Sequence, residues 1–247
     1  MIFPFQSFKK EARGSCYYLI RVFLIGFLLF ASIQLHSQVE YNTGAWAMGF
    51  SQVRIHDRIS IHLEAQYRDH GIFNEAEQIL LRGGLNYHLG AQAIASAGYG
   101  RITGYTADGE FMNTPASAEN RTWEQFILRN TTGRFIFEHR YRLEQRWIKT
   151  NLSNRYMDRV RYCLRMTIPL SRKTLEKNTL FLSFYDEIFI NLTAAPFDRN
   201  RAYAAIGFQL SPQASVQAGY MAQTLGVYTK QFLQIALFYN PDLRKKK

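Results

Sequence analysis

Polar and apolar residues alternate one by one over long segments of this 247-residue chain. In the segment SIHLEAQYR (60–68), every second residue is apolar or small and the residues between are polar or charged. The longest example is Phe135–Ile148, where one face carries aromatic and aliphatic residues and the other carries a nearly unbroken series of charges. A period of two places successive side chains on opposite faces of a strand. No segment after Gln38 shows a sustained helical period, so the sequence predicts an all-β fold.

Alternating segments bounded by Gly, Pro, Asn and Asp predict eleven strands. They lie at about 43–54, 59–69, 77–89, 92–106, 119–131, 134–148, 155–169, 178–191, 199–210, 214–225 and 229–240. Strands of soluble proteins usually have about five or six residues, whereas a tilted strand that crosses a bilayer needs about 9 to 11. The predicted lengths, with 15 Tyr and 19 Phe for aromatic girdles, favour an antiparallel transmembrane β-barrel.

The predicted barrel has about 10–12 strands. Antiparallel closure with both ends of the chain on one side needs an even number, so we expect ten or twelve strands, with twelve favoured by the length of the chain. An additional strand or terminal segment is then expected near 38–44. The connections 89–92, 132–133 and 211–213 are short, whereas 107–118 and 192–198 are longer, which predicts short turns on one rim and long loops on the other.

Residues 1–37 have the pattern of a cleavable Sec-type signal peptide. Basic residues up to Arg21 precede an uncharged segment, Val22–Leu35, whose 14 residues are fewer than the roughly 20 of a membrane-spanning helix. Residues 38–247 are then a single exported domain, predicted to lie in the outer membrane of a Gram-negative bacterium. Its last predicted strand ends in Phe238-Tyr239, similar to the terminal aromatic signal that the barrel-assembly machinery recognises, although a charged tail follows.

Several classes of function have no support in the sequence. The net charge is +11, but the basic residues are interspersed with aromatics, so no nucleic-acid partner is expected. Of the two cysteines, Cys16 lies in the predicted signal peptide, so Cys163 has no partner for a disulfide. Six scattered histidines give no metal-ligand spacing, and there is no glycine-rich phosphate loop. We therefore predict neither a metal nor a cofactor.

Five segments of the chain carry a family resemblance, namely IHLEAQYR (61–68), LLRGGLNY (80–87), ENRTWEQ (119–125), HRYRLEQRW (139–147) and YDEIF (185–189). They resemble segments of an uncharacterised family of outer-membrane β-barrels, domain of unknown function 2490. The resemblance covers essentially the whole chain after the predicted signal peptide, and the HRYRLEQRW segment is its most specific part. It implies an outer-membrane barrel without an assigned reaction, and it provides no catalytic residues.

The strongest candidate for function is a ladder of charged residues on two neighbouring predicted strands. Its members are Glu138, Arg140, Arg142, Glu144, Arg146, Arg159, Arg161 and Arg165. Other polar residues expected in the lumen are His62, Glu64, Arg68, Arg82, Asn86 and His88. Neighbouring strands lie about 4.8 Å apart, so opposite charges on them come within pairing distance. The ladder is either a structural network within the lumen or a basic constriction that favours anions, and both roles are compatible.

The sequence therefore predicts a non-enzymatic barrel, either a narrow porin-like pore for small polar or anionic solutes or a structural wall protein. One alternative is a lipid-modifying barrel of the phospholipase or lipid deacylase type. The H-x-S-N-G type segment of such enzymes is absent, and 151–154 (NLSN) lacks its His and Gly. A second alternative is a soluble periplasmic binding barrel. The expected partners are outer-membrane lipids, lipopolysaccharide and the assembly machinery, whereas the oligomeric state is open.

Overall fold

Eleven strands make up most of the part of the chain that the computed structural model describes, which is residues 38–73, 75–106 and 115–244. The strands are β1 Gln38–Arg54, β2 Ile59–Asp69, β3 Ala76–His88, β4 Ala93–Tyr105, β5 Pro115–Thr132, β6 Phe135–Thr150, β7 Asn154–Pro169, β8 Thr179–Asn191, β9 Phe197–Gln209, β10 Ala214–Leu225 and β11 Tyr228–Tyr239. The predicted signal peptide, with Cys16, lies outside the described residues.

The strands form a closed barrel in which each strand pairs with its neighbours in sequence and β1 lies beside β11. Consecutive strands pair antiparallel throughout, as in β6 and β7, where Leu143 lies opposite Val160. The predicted fold class, an all-β antiparallel barrel of about 10–12 strands, is confirmed. The residues forming these strands are those with period-two alternation, because only an extended chain sends alternate side chains to the two faces of the wall.

The expectation of an even strand number is wrong, because the barrel closes with eleven strands. With an odd number, the first and last strands run in the same direction and close through a parallel seam. Arg54 and Asp242 form a parallel bridge there, in which the Arg54 amide donates to Pro241 and the Leu243 amide donates to Arg54, both at 2.8 Å. Residues 38–44 form the beginning of β1 and add no further strand.

The odd count also places the start of β1 and the end of β11 on opposite rims, which we call the N-terminal rim and the C-terminal rim. The C-terminal rim carries the connections 55–58, 89–92, 133–134, 170–178 and 210–213, and the fully described connections on the N-terminal rim are 151–153, 192–196 and 226–227. The three connections predicted as short share the C-terminal rim, and 192–196 lies on the other rim. The segregation by length does not extend to every connection, because the long connection 170–178 lies on the C-terminal rim and the two-residue turn 226–227 on the N-terminal rim. Tight turns occur on both rims, at Gly133 and Gly226, where positive φ angles of 62° and 60° suit glycine.

The outer face of the wall is apolar. Large exposed hydrophobic side chains on the strands include Leu63, Leu81, Leu85, Tyr99, Phe126, Leu128, Tyr141, Leu180, Ile206, Phe208, Leu233, Ile235 and Leu237. Leu85 is 61% exposed, whereas the carboxylate residue Glu144 is 0% exposed. The polar set of the alternating pattern points inward and the apolar set points outward, the reverse of a soluble barrel with an apolar core.

No helix among the described residues is long and apolar enough to cross a membrane.

The interior contains an apolar cluster as well as charged side chains. Trp46, Tyr203, Ala205, Met221 and Phe232 form a buried cluster on β1, β9, β10 and β11, with the Trp46 and Phe232 rings 5.0 Å apart. The charged side chains come mainly from β2 to β8.

Trp123 also lies in the interior and is fully buried. Gly84 on β3 faces this ring, and a Cβ added to it would lie 2.7 Å from the Trp123 ring and 2.5 Å from the Ala97 carbonyl oxygen. Glycine is thus needed here for close packing against the indole ring.

Candidate functional site

The charged ladder lies on β6 and β7, the two strands whose register puts its members opposite one another. In the strand register, Glu138 lies opposite Arg165, Arg142 opposite Arg161 and Glu144 opposite Arg159. All eight predicted ladder residues are buried or half-buried, and each lines an interior cavity or, like Glu144, is enclosed completely. The structure thus places the whole predicted ladder on the inward face.

Glu144 is the centre of an ion-pair network. Its carboxylate accepts from Arg159 Nη2 at 2.6 Å and from Arg161 Nη1 at 2.7 Å. Arg121 Nη1 on β5 lies 3.1 Å from Glu144 Oε1, and Arg82 Nη2 on β3 lies 3.6 Å from the same oxygen. Arg142 Nη1 lies 3.9 Å from Glu144 Oε1. Five guanidinium groups therefore surround one enclosed carboxylate, which offsets the cost of removing it from water.

Two further glutamates connect the network to the rest of the wall. Glu187 on β8 accepts from Arg140 Nη2 at 2.8 Å and from Arg161 Nη2 at 2.7 Å. Glu119 on β5 accepts from Arg146 Nε at 2.8 Å and also pairs with Arg121 at 2.5 Å. Each of these two carboxylates is shared by two arginines, so the arginines bonded to them carry more positive charge than the carboxylates carry negative charge.

The six other predicted lumen residues divide into groups along the barrel. Glu64 joins the ion-pair network, accepting from Arg82 Nη1 at 2.6 Å, with His62 Nε2 at 3.4 Å. Asn86 and His88 both bond to the Ser60 hydroxyl, at 3.0 and 2.8 Å. Arg68 donates to Gln66 and to Gln78. All six therefore face the interior, but only Glu64, Arg82 and, through its contact with Glu64, His62 belong to the central network.

Two connected cavities occupy the lumen. The inner cavity, of about 120 Å³, is lined by eleven arginines, namely Arg68, Arg82, Arg121, Arg140, Arg142, Arg146, Arg159, Arg161, Arg165, Arg199 and Arg201, and by three glutamates, Glu64, Glu119 and Glu187. The second, of about 590 Å³, is a vestibule at the C-terminal rim. The residues shared by both linings are Phe50, Glu64, Arg140, Arg142, Arg165 and Phe238, and we call this level the junction.

Comparison with known proteins places the chain in a family. A family model described as a protein of unknown function, DUF2490, matches residues 43–232, which covers nearly all of the barrel from β1 into β11. The chain belongs to the DUF2490 family. No curated protein matches the chain, and no solved structure matches it. Membership confirms the resemblance found in the sequence, and the family description assigns no activity.

Arginines outnumber carboxylates in the DUF2490 barrel, and some have no close carboxylate partner among the described residues. Arg165 makes no hydrogen bond or ion pair there, and its Nε is buried. Arg142 donates through Nε and Nη2 to a neutral acceptor, Gln125 Oε1, and its Nη1 is 3.9 Å from Glu144. Arg201 donates to Gln223 and lies over the Trp46 ring, 4.9 Å from its centroid. The lumen therefore has positive charge that its own carboxylates do not balance.

Residues 240–244, which follow β11, lie at the C-terminal rim of the DUF2490 barrel, and Asn240, Asp242 and Arg244 line the vestibule. Arg244 pairs with Asp242 at 2.6 Å and with Asp57 of the β1–β2 turn at 2.8 Å. Hydrogen bonds from the Arg244 side chain lower the pKa of Asp242 from 3.8 to about 2, because they stabilise the ionised carboxylate. Arg244, the first residue of the basic tail, is thus engaged with the rim.

The remaining candidates for chemistry do not converge. Ser153 lies in the β6–β7 connection, where its hydroxyl is 3.2 Å from that of Thr150. His139 is on the outer face, with Nδ1 2.9 Å from the Tyr162 hydroxyl. No group of three or more His, Cys, Asp or Glu in the described part of the chain is arranged to hold a metal ion.

Sequence analysis missed several members of the network on strands other than β6 and β7. Arg121 and Glu119 lie on β5, Glu187 on β8 and Arg201 on β9. The same alternation of polar and apolar residues shows which side chains of these strands point inward. Applied to every strand and not only to β6 and β7, it would have added these residues to the candidates. The identity of the ion-pair partners has no local signal, because Glu144 pairs with residues up to 62 positions away along the chain.

Proposed function

We propose that this DUF2490 protein is a barrel of the Gram-negative outer membrane that admits small anions through an arginine-lined lumen and catalyses no reaction. The observation that carries the proposal is the inner cavity, where eleven arginines face three glutamates inside a wall whose outer face is apolar. Export by a cleaved signal peptide at 1–37 and insertion by the barrel-assembly machinery belong to the same proposal.

Two features support the membrane location. The strands have 11 to 18 residues, enough for a tilted strand to cross a bilayer, which takes about 9 to 11. Outward-facing leucines, isoleucines and aromatics match a lipid environment, where each backbone polar group must be satisfied by a neighbouring strand of a closed wall. Outer-membrane lipids and lipopolysaccharide are therefore the proposed partners of this face.

The polar residues of the outer face are consistent with this location. Arg101 and Tyr99 both donate to Asn120, at 2.9 and 2.7 Å, and Arg101 is four residues from the N-terminal rim end of β4. A long basic side chain near a strand end extends toward the headgroup region. Glu124, farther from that rim, accepts a hydrogen bond from Gln145 at 3.1 Å.

The preference for anions follows from electrostatics. A ring of arginines raises the potential inside a narrow lumen, which lowers the energy of an entering anion and raises that of a cation. The glutamates reduce this effect without cancelling it, since each is bonded by arginines of the network. The alternative role is a structural wall protein, which would have the same barrel but a lumen too filled with side chains to conduct ions.

The test is single-channel recording in a planar bilayer. The full chain is expressed in a Gram-negative host, and the barrel is purified from the outer-membrane fraction. Its folding is confirmed by a mobility change on heating. In a potassium chloride gradient, we expect current steps whose reversal potential indicates chloride preference. Folded protein that gives no current contradicts the pore and leaves the structural wall protein. Recovery of the protein in the soluble periplasmic fraction contradicts the membrane location. Hydrolysis of lipids, detected by mass spectrometry, contradicts the non-enzymatic role.

A further inference from the structure

We propose that the junction contains a binding site for an oxyanion group, a carboxylate or a phosphate, held by Arg165, Arg142 and Arg140. This site deepens the proposed function and rests on it, because it states where along the lumen an entering anion stops and which donors hold it.

The three arginines are neighbours on the inward face. Arg140 and Arg142 are separated by one residue on β6, and Cys163 lies opposite Arg140 on β7. Arg165 is two residues beyond Cys163, so it is diagonal to Arg140, at a separation that long side chains span. All three line both the inner cavity and the vestibule. Their guanidinium groups therefore reach one level of the lumen from two adjacent strands.

Donors at the junction are in excess. Arg165 has no acceptor among the described residues, and its Nε is buried without a partner. Arg140 Nε is likewise buried without a partner, although its Nη2 is bonded to Glu187. Arg142 is 4% exposed, and two of its nitrogens donate to the neutral Gln125 side-chain oxygen. Buried donors without acceptors are costly, and an oxyanion supplies acceptors with the opposite charge.

The carboxylates near the junction are already engaged by other residues. Glu138 faces Arg165 in the register, but its Oε2 accepts from Arg129 Nε at 2.8 Å. Glu64 accepts from Arg82 at 2.6 Å and from Gln66 at 2.5 Å. Glu187 is shared by Arg140 and Arg161. These pairings leave Arg165 and part of Arg142 for a group that enters from outside.

An aromatic surface lies beside these donors. The Phe50 and Phe238 rings stack with centroids 4.9 Å apart, and the Arg165 guanidinium lies 6.0 Å from the centroid of Phe238. The centroid of the Tyr185 ring lies 5.6 Å from the same guanidinium group. An apolar body attached to the oxyanion contacts these rings when its charged group meets the arginines. The vestibule, open at the C-terminal rim, provides the path of entry.

The experiment measures binding by isothermal titration calorimetry, with the purified barrel from the full chain in a non-ionic detergent. The probes are inorganic phosphate, benzoate and acetate. We expect saturable binding, with benzoate tighter than acetate because of the Phe50 and Phe238 surface. The Arg165→Gln variant is expected to raise the Kd for the bound probes by about tenfold or more, since a charge-assisted pair is lost. Arg101→Gln, the same change on the outer face, is the matched control and leaves the Kd unchanged.

Arg165→Lys is the second variant, which keeps the charge but not the planar donor array, and we expect a smaller rise of the Kd. Preference for phosphate over benzoate assigns the site to a phosphate group, and the reverse assigns it to an organic acid. Absence of binding by the folded unmodified protein overturns the site, as does equal affinity in both Arg165 variants and Arg101→Gln. Conductance of the same samples separates the two proposals, because binding without current contradicts only the pore, and anion-selective current without binding contradicts only the site.

Discussion

Arg159 and Glu144 lie directly opposite each other on β7 and β6, and Arg159 Nη2 is 2.6 Å from Glu144 Oε2 in the enclosed interior of the barrel. Because Glu144 also pairs with Arg161, with Arg121 on β5 and with Arg82 on β3, it holds together cations from three strands. The stability of the charged half of the lumen therefore depends on this one carboxylate more than on any single arginine around it.

The first prediction is that Glu144→Gln destabilises the barrel by about 3–5 kcal/mol, because it leaves several buried arginines without their shared counter-charge. The measurement is urea unfolding of the barrel in lipid vesicles. Glu176→Gln is the matched control, since Glu176 is exposed in the β7–β8 connection and pairs with Arg172 at 3.6 Å, and it changes the stability by less than about 1 kcal/mol. Equal effects of the two substitutions contradict the central role of Glu144.

A second prediction concerns the outer face. Leu85, which is 61% exposed on β3, faces lipid in the proposed location. Leu85→Arg is expected to cost up to about 2–4 kcal/mol of folding free energy in a bilayer, depending on its depth. Leu152→Arg, in the β6–β7 connection with 98% exposure, is the control with an expected cost near zero. If both variants fold equally well in vesicles, Leu85 does not contact lipid.

Ion selectivity gives the third prediction. Arg165→Glu reverses a charge that forms no ion pair with a described carboxylate, so the ratio of chloride to potassium permeability is expected to fall by roughly twofold or more. The reversal potential in a potassium chloride gradient measures this ratio. Arg101→Glu makes the same change outside the lumen and is expected to leave the ratio as it was. An unchanged ratio in Arg165→Glu places the selectivity elsewhere.

Packing around Trp123 gives the fourth prediction. Gly84→Ala introduces a Cβ at 2.5 Å from the Ala97 carbonyl oxygen and 2.7 Å from the indole ring, where the wall must shift. We expect a loss of about 1–3 kcal/mol in unfolding free energy, the usual range for overpacking. Gly49→Ala is the control, because nothing lies within 4 Å of a Cβ added there. A neutral Gly84→Ala variant shows that the indole ring has room to move.

The C-terminal rim gives a prediction about pH. The pKa of Asp242 is lowered from 3.8 to about 2 in the folded chain, so its interaction with Arg244 is complete above pH 3.8 and is lost as the pH falls through 2. Carboxyl titration by NMR measures this shift. In Arg244→Gln the pKa of Asp242 is expected to return toward 3.8. A normal pKa in the unmodified protein contradicts the contact between the two residues.

Local alternation was sufficient to predict most of the wall. The segments 134–148 and 155–169 were predicted as strands, and they form β6 Phe135–Thr150 and β7 Asn154–Pro169. The inward orientation of Arg142 and Arg159 follows from the same period, since a strand has only two faces and one of them is apolar. Strand ends and inward faces are properties of short segments, and each can be assessed without knowing the neighbouring strands.

The number of strands and the ion-pair partners were decided by the tertiary structure. Parity of the strand count is a property of the closed ring, and an expectation based on antiparallel closure failed at the seam, where Arg54 and Asp242 meet in parallel. Likewise, Glu144 meets Arg82 of β3 only because the wall curves back across the lumen. The sequence by itself determined which residues extend and which face is wet, because a period of two acts locally. Closure decided which charges meet, because contacts across the lumen depend on the whole ring of strands.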